Sequence, residues 1–381
     1  MSQQPFGDIP LFREIQKLLV GSTGPVNMEI ARQVGVAVAT QGVHEHHPSA
    51  DVERSFADAV HASETLLAGY TRLPLIEPIP SRVVGPTWWV NETLVRWQWL
   101  LEHLGGRFTA ELGRAGAEAA DQDQMQVALG QVAPLIIGIQ AGSLIGQLAK
   151  ESIGRYDHPI PHAESDGLFF LWLNAQRVAD DYGFDQEAFR RWLALRDAAR
   201  HLVTTNVAWL HRFHRSLLTE VVNSIEVDTG DLERKMLEMQ ERGMDMFSQG
   251  VSASEMLPLA HTERHRKALD RLRALVAVLE GYAGHASEAV ADKLIGDASK
   301  IEEGMARHRA SPSDGRAMLA SIFGVSIDRA LEDSGRTFCA AVVQLKGLPA
   351  LNRVWGAPDN LPTLPEIKDP FAWMERVLED E

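Results

Sequence analysis

Along most of the chain apolar residues recur at three- and four-residue intervals, the spacing that lines one face of an α-helix. The segments near 11–20, 25–40, 52–69, 86–104, 168–182, 185–223, 231–246, 262–290, 298–308, 314–322, 326–345 and 370–379 carry this pattern. Many of them open on Ser, Thr, Asp or Pro, residues that satisfy or dispense with the free N–H groups of a first helical turn. The strict alternation of a half-buried strand is scarce. The expected fold is therefore mainly α, a multi-helix arrangement around one interlocked core. Pro-bearing stretches interrupt the pattern at Leu73–Pro80, Asp157–His162 and Ala357–Pro365. No internal repeat or low-complexity tract divides the chain. The reading is a single domain over 1–381, with a helical subregion at 1–160 and a second, at 161–381, that carries the motif discussed below.

One segment breaks the amphipathic rule. Val127–Ala149 runs 23 residues without a charge, and Gly138, Gly142 and Gly146 repeat in it at four-residue spacing. Its length would span a bilayer. Gln131, Gln140, Gln147, Pro134 and Ser143 would each need a partner in hydrocarbon, and no Lys/Arg cluster flanks one end. The expectation is a buried central helix or helical hairpin whose glycines let neighbouring backbones come close, with no membrane span.

Composition narrows the classes further. The 381 residues include 37 Lys+Arg and 52 Asp+Glu, for a net charge of −15, with 45% hydrophobic and 23% charged. This is a globular composition of the wrong sign for broad phosphate neutralisation, so no nucleic-acid partner is expected. The single cysteine, Cys339, rules out an internal disulfide and a Cys-rich metal site. It sits in a helical apolar pattern and reads as core. The polar start and the break of Leu18-Leu19-Val20 at Gly21 are unlike a secretory leader, and with the lone thiol they point to the cytoplasm.

The informative helix begins at Asp185, an N-cap with Glu187 in the first turn. Advancing about 100° per residue from Phe189 puts Trp192, Leu193, Ala199 and Val203 on one inward arc. Arg196 and Arg200 fall in the middle of that arc, Asp197 at its edge, and Arg190 and Ala194 further round. Either both guanidinium groups snorkel to water from a misplaced face, or they are buried and must meet carboxylates or a bound anion.

Inward positions at i and i+4 are also where a metalloprotease helix carries the histidines of His-Glu-x-x-His. Here the words are Arg196-Asp197-Ala198-Ala199-Arg200-His201. Around them, Phe6-Gly-Asp-Ile-Pro-Leu-Phe12, Gly24–Gln33, Ile137–Gly146, Gly154-Arg-Tyr-Asp-His-Pro-Ile-Pro161, Trp192–Leu195, Ala208-Trp209-Leu210, Leu279-Glu-Gly-Tyr-Ala283, Leu361–Glu366 and Asp369–Trp373 follow in order. Over essentially its full length the chain resembles the actinobacterial zincin-like metallopeptidase and hydrolase family, some of whose members are associated with biosynthesis of a deazaflavin coenzyme. The resemblance implies a zincin-like fold, and it implies that the third zinc ligand of an intact member corresponds to Glu280. The departure is at the chemistry: arginine has no lone pair to give a metal, so Arg196 and Arg200 cannot ligate zinc. Asp197 could act as a base only without a zinc-bound water to deprotonate. The catalytic positions are thus degenerate and no cofactor is expected.

Three readings follow. In the first, the chain is a non-catalytic binding or scaffold protein whose guanidiniums pair with Glu280 or another carboxylate, its partner a protein or a small anion. In the second, it is a metal-dependent peptidase or hydrolase that holds zinc through a shifted set, His201, Glu280 and His285. In the third, Arg196 and Arg200 are partly free and bind a phosphate or carboxylate in an anion-binding regulator. Other histidines read as structure: His261-Thr-Glu-Arg-His265 as an exposed helix start, His44-Glu-His-His47 as a solvated loop, His211 and His214 as a surface on a helix that continues the motif helix. Tyr156 and Asp157 read as a helix-to-loop cap. No nucleophile elbow, phosphate loop or dinucleotide fingerprint is present.

Overall fold

The computed structural model describes residues 24–43, 45–116, 122–162, 167–226, 262–323 and 329–378. The helices expected near 11–20 and 231–246, the segment Phe6–Phe12, His44 and His261 lie outside the described residues. Among those described, the order is α1 (Met28–Thr40), α2 (Ala50–Thr71), β1 (Ser81–Val84), α3 (Pro86–Gly116), α4 (Gln122–Glu151), β2 (Leu168–Leu171), α5 (Trp172–Tyr182), α6 (Gln186–Asn206), α7 (Leu210–Asn223), α8 (Glu263–Ala291), α9 (Ala298–Ala310), α10 (Asp314–Phe323), α11 (Arg329–Lys346), α12 (Leu348–Leu351), α13 (Leu364–Lys368) and α14 (Pro370–Leu378). The architecture is mainly α.

Local chemistry sets the helix ends. Asn27, Ser49, Asp185 and Thr262 each accept a backbone N–H from the first turn that follows. Gln41 and Arg72 close α1 and α2 in the left-handed conformation, at φ 50° and 60°.

Two element assignments need correction. The segment 168–182 is not one helix: Leu168-Phe169-Phe170-Leu171 is a fully buried strand, paired in parallel with Ser81–Val84 in the register Ser81↔Leu168 to Val84↔Leu171. A four-residue apolar run cannot be told from a buried helical turn by periodicity. The segment 185–223 is two helices. Thr204, Thr205 and Asn206 turn their side chains back onto the carbonyls of Arg200, His201 and Leu202, and this competition for the helix's own acceptors ends α6 just before Val207.

The uncharged stretch is the C-terminal part of one long helix, α4, packed along α1. A Cβ on Gly138, Gly142 or Gly146 would run into the backbone carbonyl oxygens of Asn27, Ala31 and Gly35 respectively. The glycine stripe is what lets the two backbones touch. No helix among the described residues is long and apolar enough to cross a membrane.

At the centre lies α6, flanked by α2 and α8. Every residue from Trp192 through Val203 is buried. The single inward arc is therefore too narrow a description, because Asp197 and Ala194 are enclosed as well. The helix is covered on all sides, and any charge it carries must be met inside the protein. Buried side chains from Val26 to Met374 join in one hydrophobic cluster around it.

Candidate functional site

The motif helix meets its partners where α8 and α11 cross. A Cβ on Gly281 would overlap the backbone of Gly335, and one on Gly335 would overlap the carbonyl of Ala277. Only glycine permits that approach, and it brings Glu280 of α8 and Glu332 of α11 to bear on α6 from the same side.

Arg196 stands among three carboxylates. Its Nη2 lies 3.6 Å from Glu280 and 3.5 Å from Glu332, and its Nη1 lies 3.9 Å from Glu302 of α9. Burial works against the guanidinium charge, and Glu332 and Glu302 more than offset it, so the proton is held more tightly than usual. Its Cζ lies over the ring of Trp192, 5.1 Å from the centroid, and Trp192 Nε1 donates to Glu302 at 2.7 Å.

Arg200, one turn on, pairs directly with Glu280 through Nη2 and donates from Nη1 to the carbonyl of Tyr156. Burial and the neighbouring Arg196 push its pKa down to about 10, still far above neutrality. Glu280 is 4% exposed and so serves two guanidiniums in a dry environment.

Asp197 faces the turn after α4. Its Oδ2 accepts the backbone N–H of Arg155 at 2.8 Å, and Gly154 passes so close that a Cβ there would sit 2.6 Å from the same oxygen. Burial, then the charge of Asp157, raises its pKa to about 7. Asp157 itself takes the N–H groups of Ile153 and Gly154 at 2.6 and 2.8 Å, so the turn is a helix-to-loop cap locked onto α6. Tyr156 completes the lock, its hydroxyl 3.0 Å from both His201 Nδ1 and Thr204 Oγ1.

The shifted ligand set is not brought together. His201 is engaged by Tyr156, its pKa lowered to about 4 by burial and Arg155. His285 is engaged by the hydroxyl of Tyr70 at 3.0 Å. Glu280 is taken by arginines. No group of three or more His, Cys, Asp or Glu among the described residues could hold a metal ion. Two further histidine expectations change. His265 is buried against Ser224 Oγ at 2.8 Å, so the start of α8 is exposed only in part. His214 is buried on α7 with its pKa lowered to about 4 by burial, and is no surface residue. His46 and His47 are exposed as expected. Cys339 is fully buried, its thiol pKa pushed up by burial, as a core residue requires.

These side chains enclose a cavity of about 60 Å³, lined by Trp192, Arg196, Arg200, Glu280, Glu332 and the turn residues Tyr156 and Asp157. Arg309 and His308 of α9 and Arg316 of α10 also line it. Glu302, Glu332 and Arg309 were not anticipated. For Glu332 a signal existed: Glu332, Gly335, Cys339 and Val342 follow the three- and four-residue spacing of an inward face, which places a carboxylate in the core.

A zinc ion does not fit this donor set. A tetrahedral site needs three or four lone-pair donors, and the two positions of α6 that would carry the motif's histidines, Arg196 and Arg200, present only N–H groups, one of them already seated on Glu280. What the arrangement can do is hold charge: four guanidiniums and several carboxylates, interleaved and shielded from water.

Residues 26–374 match the family model described as zincin-like metallopeptidase. A crystal structure from Chloroflexus aurantiacus, described as "a putative hydrolase with a novel fold", aligns with a TM-score of 0.68 at 22% identity, covering 93% of this chain and 100% of that one. At that identity the likeness is one of fold. A comparison with curated proteins finds no match.

Proposed function

The chain belongs to the zincin-like metallopeptidase family, and from that premise we propose that it is a binding or scaffold member which keeps the family's fold and pocket without zinc hydrolysis. The observation that carries the reading is the pairing of Arg200 with Glu280, where a metal and its carboxylate ligand would meet in an intact member. A cation is still present at that point, but it is covalently part of the chain and cannot polarise a substrate carbonyl as an open metal site does. Asp197 occupies the position of the general base, yet its oxygen is committed to the Arg155 N–H. A place in the cytoplasm belongs to the same proposal and rests on the composition.

Elemental analysis of protein purified without a metal-affinity step tests it. The expected zinc content is far below one ion per chain. Stoichiometric zinc that is lost in Glu280→Gln would overturn the reading. In the opposite direction, the combined substitution Arg196→His, Asp197→Glu and Arg200→His is expected to create zinc binding that depends on Glu280. A folded triple variant that stays metal-free would show that Glu280 does not correspond to the third ligand.

A further inference from the structure

One buried hydrogen-bonding group that lines the cavity, Nη1 of Arg196, is unused. The cavity's carboxylates are committed: Glu151 to Ser313 and to the Gly315 N–H, Asp157 to two backbone N–H groups, Asp197 to Arg155, Glu280 to Arg200, and Glu332 to Arg309 Nη1 at 2.8 Å. The guanidinium side is not used up. Arg196 is more than nine-tenths buried, its three carboxylate neighbours stand at 3.5 to 3.9 Å, and its Nη1 has no hydrogen-bond partner. Such distances are outside direct hydrogen-bond range, and a buried N–H left open is costly. Arg309 donates once, to Glu332.

Two of these cations also converge. Arg196 and Arg309 lie 5.1 and 5.8 Å from the centre of the same indole, that of Trp192. Like charges held on one ring repel, and burial together with Arg196 weakens the hold of Arg309 on its proton. The open group on Arg196 is a charged donor, so what it lacks is an acceptor, and one that a second guanidinium can share is best anionic. We propose that a small oxyanion, a phosphate or carboxylate group, binds between Arg196 and Arg309 above Trp192, entering past the α9 side where Arg309 is 21% exposed. The planar forks of two arginines suit such a group. The proposal rests on the reading that this pocket binds without hydrolysing.

Calorimetric titration of metal-free protein at low ionic strength tests it, with inorganic phosphate in one arm and malonate in the other to separate phosphate from carboxylate recognition. At least one of the two is expected to bind at a single site, and Arg309→Gln is expected to weaken that binding about tenfold or more. Glu332→Gln removes a competing negative charge from beside Arg309 and Arg196 and is expected to tighten it. Arg54→Gln, on the exposed face of α2, is expected to leave it unchanged. Absence of binding by both anions, or binding that Arg309→Gln does not weaken, overturns the proposal. If Arg309→Gln fails to fold, Glu332→Gln decides: affinity unchanged or lowered there overturns it. Zinc content of the same preparation separates the two readings. Stoichiometric zinc overturns the non-metal reading, whereas metal-free protein that binds neither anion overturns only the oxyanion.

Discussion

Glu280 is the residue on which the site turns. It is buried, meets Arg200 directly and stands 3.6 Å from Arg196. Removing one member of a buried ion pair leaves the other uncompensated, whereas removing both to apolar groups of similar volume is often tolerated. Glu280→Gln is therefore expected to lower stability by about 3–5 kcal/mol, and Glu280→Leu combined with Arg200→Met to cost less than Glu280→Gln alone. Urea unfolding of the two variants checks the order. The two arginines were legible in the sequence because the helical repeat from Phe189 puts them among Trp192, Leu193 and Val203. Glu280 came from the family resemblance. Glu302 and Arg309 were not legible, because no spacing along α9 says which distant helix its charges will meet.

At the scale of elements, the α8–α11 crossing positions the carboxylates. Gly335→Ala puts a methyl against the Ala277 carbonyl and forces the helices apart. The expected loss is about 1–3 kcal/mol, the usual penalty for an overpacked contact. Because separation also moves Glu332 away from Arg196, the anion affinity measured by titration is expected to change in the same variant, which Gly183→Ala at the α5 terminus is not expected to do. Most helices were legible from periodicity and capping residues. The exceptions have local causes. Leu168–Leu171 is too short to show a period, and the break after Asn206 depends on Thr and Asn side chains turning back on their own helix rather than on Gly or Pro.

For the molecule as a whole, buried titratable groups set a pH dependence of stability. His158, His201 and His214 have pKa values lowered to about 4, and His162 to about 3, with burial the first cause in each. Below about pH 6.5 the unfolded chain takes up protons that these folded imidazoles refuse, so stability falls with acidification, by up to about 1.4 kcal/mol per pH unit for each group. Asp197 acts in the opposite sense. Its raised pKa, about 7, means that the fold keeps a proton the unfolded chain loses, a contribution present at low pH and lost as pH rises through 7. Four histidines outweigh one aspartate, so stability is expected to rise from pH 4 to 6.5, and Asp197→Asn to make that rise steeper. Chemical denaturation at several pH values checks both slopes. The interlocked buried cluster, which runs from Val26 to Met374, has a last consequence in evolutionary terms. Exchanging Arg200 alone for histidine would take the direct partner from the buried Glu280 before any metal could replace the lost cation. Against the about 5–15 kcal/mol of stability that a domain has in total, a loss of about 3–5 kcal/mol is a large fraction. On the proposed reading of this pocket, a change between an arginine-held and a metal-held carboxylate is expected to go more readily through paired than through single substitutions.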